Sequence, residues 1–417
     1  MRLTTFVLVL CQLALGCGDD SSPPPGTLDA SMDTTVMRDA NDVSDAGTDT
    51  SDDVVTPPDT GIPSPLMGCT FGDADELSLS GAQRSSGVQV AAGPTGFGVI
   101  YAASPEGPEN IYFRFVPTSG AIGEPVLLTD DNNITRSPTI AAFGDGFIVA
   151  WYDNESGGFE IRTRVLGADG TPTSEPVMLS DNMLRDDAPE LATLGSGALA
   201  LWVEDDDRAL TRLLRATRLD AAGAPVGSVL ELTDTSNMVD RPVAHGLGDG
   251  ALVVWGEGSG TSRNALGIFV NEDGSAGAPM ELSTTGGVGT LAFATNETGA
   301  IAYNVGGGSA SVVNVLPLGL DGTASGEARQ VNVAGDEGGA PGITTFEDGF
   351  VVGFTARSEA DRVVRLSAVD ANGNLLGTLD GPALEGTVGI LQMATVDRTM
   401  LLSWGITELR SVRVSCP

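Results

Sequence analysis

From residue 77 onward the hydrophobic positions recur in one short figure: a Gly, four mostly apolar residues, then an aromatic. It reads Gly96-Phe97-Gly98-Val99-Ile100-Tyr101, then Gly146-Phe147-Ile148-Val149-Ala150-Trp151. It returns ending on Trp202, Trp255 and Phe354 and, from Thr399, on Trp404; in one repeat Tyr303 comes a place early, with Asn304 in the expected slot. The spacing, about 50 residues, is a period of propellers and solenoids.

The flanking positions repeat too. Eight residues before the Gly stand Pro138, Pro189, Pro242 and Pro341, and Val88 in the first repeat. Each opens a short run such as Thr139-Ile140-Ala141-Ala142, which predicts a strand whose first residue need not donate to a ladder. Some way after the Gly comes a turn dipeptide: Ser119-Gly120, Asp169-Gly170, Ala222-Gly223, Asp273-Gly274, Asp321-Gly322, Asn372-Gly373. Such pairs place Gly where φ is positive and join antiparallel strands. A last run follows, as in Pro125-Val126-Leu127-Leu128-Thr129.

Four antiparallel strands per repeat predict the blades of an all-β propeller, a ring that leaves only short edges. The central runs are almost continuously apolar, as expected where neighbouring blades cover both faces of a sheet; an open sandwich would alternate. Seven repeats predict a seven-bladed β-propeller, with six or eight as the neighbouring counts. The seventh has strands around Ile390–Val396, Met400–Trp404 and Arg410–Ser415 and no fourth. Glu76-Leu77-Ser78-Leu79-Ser80 matches Glu231-Leu232-Thr233 and Glu281-Leu282-Ser283, so an N-terminal strand is expected to close the last blade.

The N-terminus changes the picture from fold to address. Residues 1–16 carry one Arg, a short apolar stretch and small residues before Cys17, a secretory signal too short to span a bilayer. Leu13-Ala14-Leu15-Gly16-Cys17 resembles a bacterial lipobox, although Ala14 stands where that motif usually has Leu. The resemblance implies lipidation of Cys17 and anchoring to a bacterial membrane, with the outer membrane expected and the propeller extracytoplasmic. The other reading is an ordinary secreted protein cut near Gly16. Residues 17–68 follow as a tract of Asp, Ser, Thr, Pro and Gly with eleven Asp between 18 and 68 and no aromatic before Phe71. Such composition buries too little apolar surface to offset its ordering entropy, so a disordered acidic tether is expected ahead of a propeller over 69–417.

The cysteines bear on closure. With Cys11 lost in the signal and Cys17 lipidated, Cys69 and Cys416 remain. Cys416 ends the third strand of the last blade and Cys69 lies just before the fourth, so the two are expected to meet in a disulfide, which an exported chain permits.

The pattern Pro138 to Ala142, Asp145 to Trp151 and Ala168 to Pro172 resembles propeller-type repeats of secreted and surface proteins of bacteria. The resemblance covers residues 77 to 415. It implies fold and adds no mechanism, since propellers host many unrelated activities.

Composition narrows the chemistry. Acidic residues number 56 against 21 basic ones, all Arg, a formal charge of -35, which excludes a nucleic-acid partner. His245 is the one histidine, so a Ser-His-Asp triad elsewhere is impossible and a His-based metal site is disfavoured. It takes a place held by Ala91, Ala141 and Ala192 in other repeats, on a strand expected beside the channel. All four Trp fall at one phase of the repeat, which marks core wedges rather than a sugar platform. Carboxylate pairs such as Asp186-Asp187 read as solvated loops. Glu204 to Asp207 with Asp153 or Glu155 could hold calcium weakly, and no other cofactor is expected.

Four entries to the innermost strands carry an Arg: Arg84, Arg136, Arg185 and Arg241. Guanidinium forks around a channel mouth suit a carboxylate or sulfate ligand; alternatively each Arg pairs with a nearby acid and cements adjacent blades. The expected function is a membrane-anchored binding or scaffolding module, its propeller monomeric, for a protein or acidic glycan partner. The other class is a carbohydrate-active enzyme, hydrolase or lyase, with its site at the channel mouth.

Overall fold

The structure is a computed structural model that describes residues 63–79, 85–105, 107–130, 133–155, 157–182, 184–206, 211–234, 239–283, 286–306, 311–332, 338–358, 361–384, 388–405 and 408–417. Residues 1–16, Cys17, most of the expected tether and Arg84 lie outside these, as does the side chain of Arg241. The described chain forms seven four-stranded antiparallel sheets, the blades of a seven-bladed β-propeller. Blades 1 to 6 are each built from four consecutive strands, running innermost to outermost in chain order.

Blade 7 takes three strands from the C-terminal end, Gln392–Val396, Thr399–Trp404 and Arg410–Ser415, and its fourth from Thr70–Glu76. The N-terminal closure is therefore present, but the strand lies before Glu76 rather than after it. The Glu-Leu-Ser signature marks the end of the strand. The Leu77 N–H donates to the Leu409 carbonyl at 2.8 Å, and the Ser78 hydroxyl accepts from the Leu409 N–H at 2.7 Å. Thr129, Ser180, Thr233 and Asn332 accept the same bond from Ile111, Ile161, Leu214 and Val313. This latch finishes the fourth strand and leaves the preceding Leu or Val side chain buried. Cys69 and Cys416 form a disulfide beside the Thr70–Ser415 pair, with Cα atoms 4.1 Å apart.

The core is seven clusters, one in each seam between neighbouring blades. The repeating aromatic supplies one wedge to each: Tyr101, Trp151, Trp202, Trp255, Tyr303, Phe354 and Trp404, all buried. The early position of Tyr303 does not remove it from its seam, where it packs with Leu252, Val254 and Phe293.

The prolines that recur at this phase of the repeat do not begin their strands. Thr135–Phe143 contains Pro138 as its fourth residue, inside a β-bulge where pairing jumps from Arg136–Tyr152 to Thr139–Ala150. Blades 1 to 6 all shift register at this point. The residue before the Pro or Val takes positive φ at Gly87, Ser137, Ala188 and Ala340. A bulge leaves its extra residue out of the ladder, which is why a Pro is admitted there.

Candidate functional site

The innermost strands surround a central channel of about 280 Å³ that opens into a mouth cavity of about 440 Å³. The bulges stand at this mouth: Ser137, Pro138, Ala188, Pro189 and Pro242 line it, so its rim is made of backbone with little rotational freedom.

Just inside the bulge of blades 1 to 6, and at the matching place on blade 7, each innermost strand places one residue at an equivalent register position. On blades 7, 1, 2 and 3 these are Gln392, Gln89, Thr139 and Glu190. On blades 4, 5 and 6 they are Val243, Leu291 and Gly342. The upper ring is thus polar over four consecutive blades and apolar over three. Two residues further along, the polar half stands over Ala394, Ala91, Ala141 and Ala192, whereas His245, Phe293 and Thr344 occupy the opposite half.

Glu190 accepts a hydrogen bond from the Thr139 hydroxyl at 3.2 Å. Glu190 is half-buried at the mouth, yet the surrounding blades enclose its carboxyl and this desolvation pushes it up to about 8, which favours the protonated form at neutral pH, able to donate as well as accept. His245 has open area in the channel but is enclosed by the ring of blades, and this burial pulls it down to about 4. It is a neutral imidazole packed edge-on to Phe293, with centroids 5.4 Å apart.

Of the four expected arginines Arg84 lies outside the described residues, and Arg136, Arg185 and Arg241 do not occupy one equivalent position. Arg136 pairs in register with Tyr152, at the bulge; the matching residues of blades 3 and 4 are Asp187 and Asp240. Arg185 lies two places earlier, opposite Asp205, and Arg241 one place later than the matching position. The difference stands in the sequence itself: Arg136, Arg185 and Arg241 precede the Pro of their strands by two, four and one residues. Arg136 does line the mouth, together with Gln89, Ser137, Glu190 and Gln392. Its guanidinium is ion-paired with Glu109, a buried carboxylate of the preceding blade. Arg185 is absent from the described mouth lining; it lies over the Phe159 ring at 5.6 Å and pairs with Asp187 at 3.2 Å.

Four of the carboxylates weighed for calcium face arginines instead, and Asp207 lies outside the described residues. Glu204 pairs with Arg215 at 2.8 Å, Asp205 with Arg212 at 3.3 Å, and Asp153 and Glu155 with Arg162 at 2.7 and 2.6 Å. Among the described residues there is no group of three or more His, Cys, Asp or Glu placed to hold a metal ion.

Gln89, Glu190 and Gln392 are mouth residues that the sequence reasoning missed. Part of the signal was present: in repeats 1 to 3 Gln89, Thr139 and Glu190 directly follow the Val or Pro of the bulge, where later repeats carry Val243 and Gly342, whereas Gln392 follows Leu391 and has no such marker.

No family model and no curated protein matches the chain. Several solved propellers are similar in fold. One is a neuraminidase-like protein of A/little yellow-shouldered bat/Guatemala, 12% identical, with TM-score 0.47 over 83% of this chain and 99% of that one. Another is a structure described in work on two prolyl endopeptidases, 16% identical, TM-score 0.45, over 80% of this chain and 47% of that one. A third is an alpha-L-arabinofuranosidase from Lactobacillus brevis, 11% identical, TM-score 0.39, over 58% and 93%.

Proposed function

We propose that this chain is an exported propeller, lipidated at Cys17 and held to a bacterial membrane by the acidic segment 17–68, that captures a partner at the mouth of its channel. The partner is taken to be a protein or a glycan, wider than the protein or acidic glycan expected from the sequence, because Arg136 at the mouth is already ion-paired with Glu109. One observation carries the binding role: the mouth cavity is rimmed on one side by polar side chains set on rigid, bulged strands. Preorganised groups of this kind lose little freedom when a ligand arrives. The Cys69–Cys416 disulfide supports an oxidising address.

Glu190 also favours a second reading. A carboxyl that keeps its proton at neutral pH can serve as a general acid in glycoside hydrolysis. That chemistry calls for a second carboxyl within about 5–9 Å. Among the described residues lining the mouth and channel, Glu190 is the one carboxylate, so binding is the better-supported role.

The test is photo-crosslinking in intact cells, with a reactive side chain at residue 89 of the full chain or, for comparison, at Val229 on an outer strand. Membrane-bound protein is expected to give adducts from residue 89 and none from residue 229, with the Cys17→Ser variant leaving the membrane fraction. Adducts from residue 229 alone would move the binding face to the outer rim.

A further inference from the structure

We infer that the channel mouth is a receptor well for one compact, uncharged, polyhydroxylated ligand, chemically a neutral saccharide unit, seated on the side of blades 7, 1, 2 and 3. This rests on the binding role proposed above and narrows it.

Geometry gives the well its side. Where the upper ring is polar (Gln392, Gln89, Thr139, Glu190) the layer beneath is alanine, whose short side chains line the channel below the hydrogen-bonding groups. Where the upper ring is Val243 and Leu291, His245 and Phe293 fill the space below. The result is a polar rim over a small apolar floor, on one half of the mouth. A cavity of about 440 Å³ is of small-ligand size.

Chemistry gives the class. A sugar hydroxyl both donates and accepts, and so do the side-chain amides of Gln89 and Gln392, the Ser137 hydroxyl and a protonated Glu190. The C–H face of a sugar ring is apolar and suits an alanine floor. Charge recognition is poorly served, because Arg136 is already neutralised by the buried Glu109. An extended peptide would need an open strand edge to pair with, whereas seven inner strands close around this well.

The experiment is calorimetric titration of the full-length protein with glucose, galactose, mannose and N-acetylglucosamine, and with glucuronate as the charged counterpart. At least one neutral sugar is expected to bind, with glucuronate weaker. Glu190→Ala and Gln89→Ala should each weaken it about tenfold, the worth of one or two neutral hydrogen bonds. In the wild type, affinity should fall between about pH 6 and about pH 10 as Glu190 ionises and loses its donor; Glu190→Gln should keep affinity and lose that fall. Failure of every neutral sugar to bind, or binding indifferent to both alanine variants, overturns the inference. Preference for glucuronate overturns the neutral class while leaving the mouth as the binding face. Adducts only from residue 229 in the crosslinking experiment remove the binding face itself.

Discussion

At the scale of single residues the costly groups are buried carboxyls. Asp186 is fully buried at the start of the first strand of blade 3. Its Oδ2 accepts from the Asn182 amide at 2.9 Å, and its Oδ1 has no hydrogen-bond partner. Burial pushes its carboxyl up to about 7, and the nearby Glu160 and Glu204 carboxylates add to the rise. A raised carboxyl is protonated in the fold while the unfolded chain has already released its proton. Stability therefore falls as pH climbs from about 4 to about 7 for Asp186, and on to about 8 for Glu190. Asp186→Asn removes the ionisation and keeps a carbonyl to accept from Asn182. Thermal melts should show it near wild type at about pH 4 and more stable above pH 7, by on the order of 1–3 kcal/mol. A difference that does not change with pH would show that ionisation of Asp186 is not what costs stability.

At the scale of the element, the turn between third and fourth strands does more than reverse the chain. A Cβ on Gly170 would lie 2.0 Å from the Phe113 ring of the preceding blade, and one on Gly223 2.7 Å from Val165. Gly322 meets Leu252 in the same way, at 2.8 Å. Each of these turns docks on the blade before it. Gly120 has the same positive φ but nothing within 4 Å of its would-be Cβ. Urea unfolding should separate the two: Gly120→Ala costs about 1 kcal/mol for conformation alone, while Gly170→Ala costs about 2–4 kcal/mol because Phe113 must also move. The positive φ of these glycines was legible in their dipeptides; the contact across the seam was not, since nothing in one repeat reports the shape of its neighbour. The same limit explains the bulge. Pro138 announced a place without a ladder bond, but its setting inside the strand, after Ser137 at positive φ, depends on the channel it faces. The blade count, the aromatic wedges and the closing disulfide were readable because each follows from a period or a matching of ends. The mouth was only partly so: Arg136 stood out by its charge, whereas Gln89 and Gln392 carry none.

At the scale of the whole molecule, one blade depends on both ends of the chain. Only blade 7 joins strands from opposite termini, and the Cys69–Cys416 bond spans 347 residues at that point. The chain-entropy model gives at most roughly 6 kcal/mol for so long a loop. Cys416→Ser should lower the melting temperature, and added reductant should then have no further effect on it, whereas it should destabilise the wild type. The bond also fixes how load would enter the ring. A pull on the segment before residue 69 reaches Cys69 before it reaches Thr70–Glu76, and passes covalently to Cys416 and the strand Arg410–Ser415. The hydrogen bonds that hold the N-terminal strand are then spared, and tension is shared between two strands of one sheet. With the sulfurs reduced, the same pull would work on the Thr70–Ser415 pair first and open blade 7 from its outer edge, one bond at a time. The disulfide is thus a strain relief at the point where the N-terminal segment meets the ring.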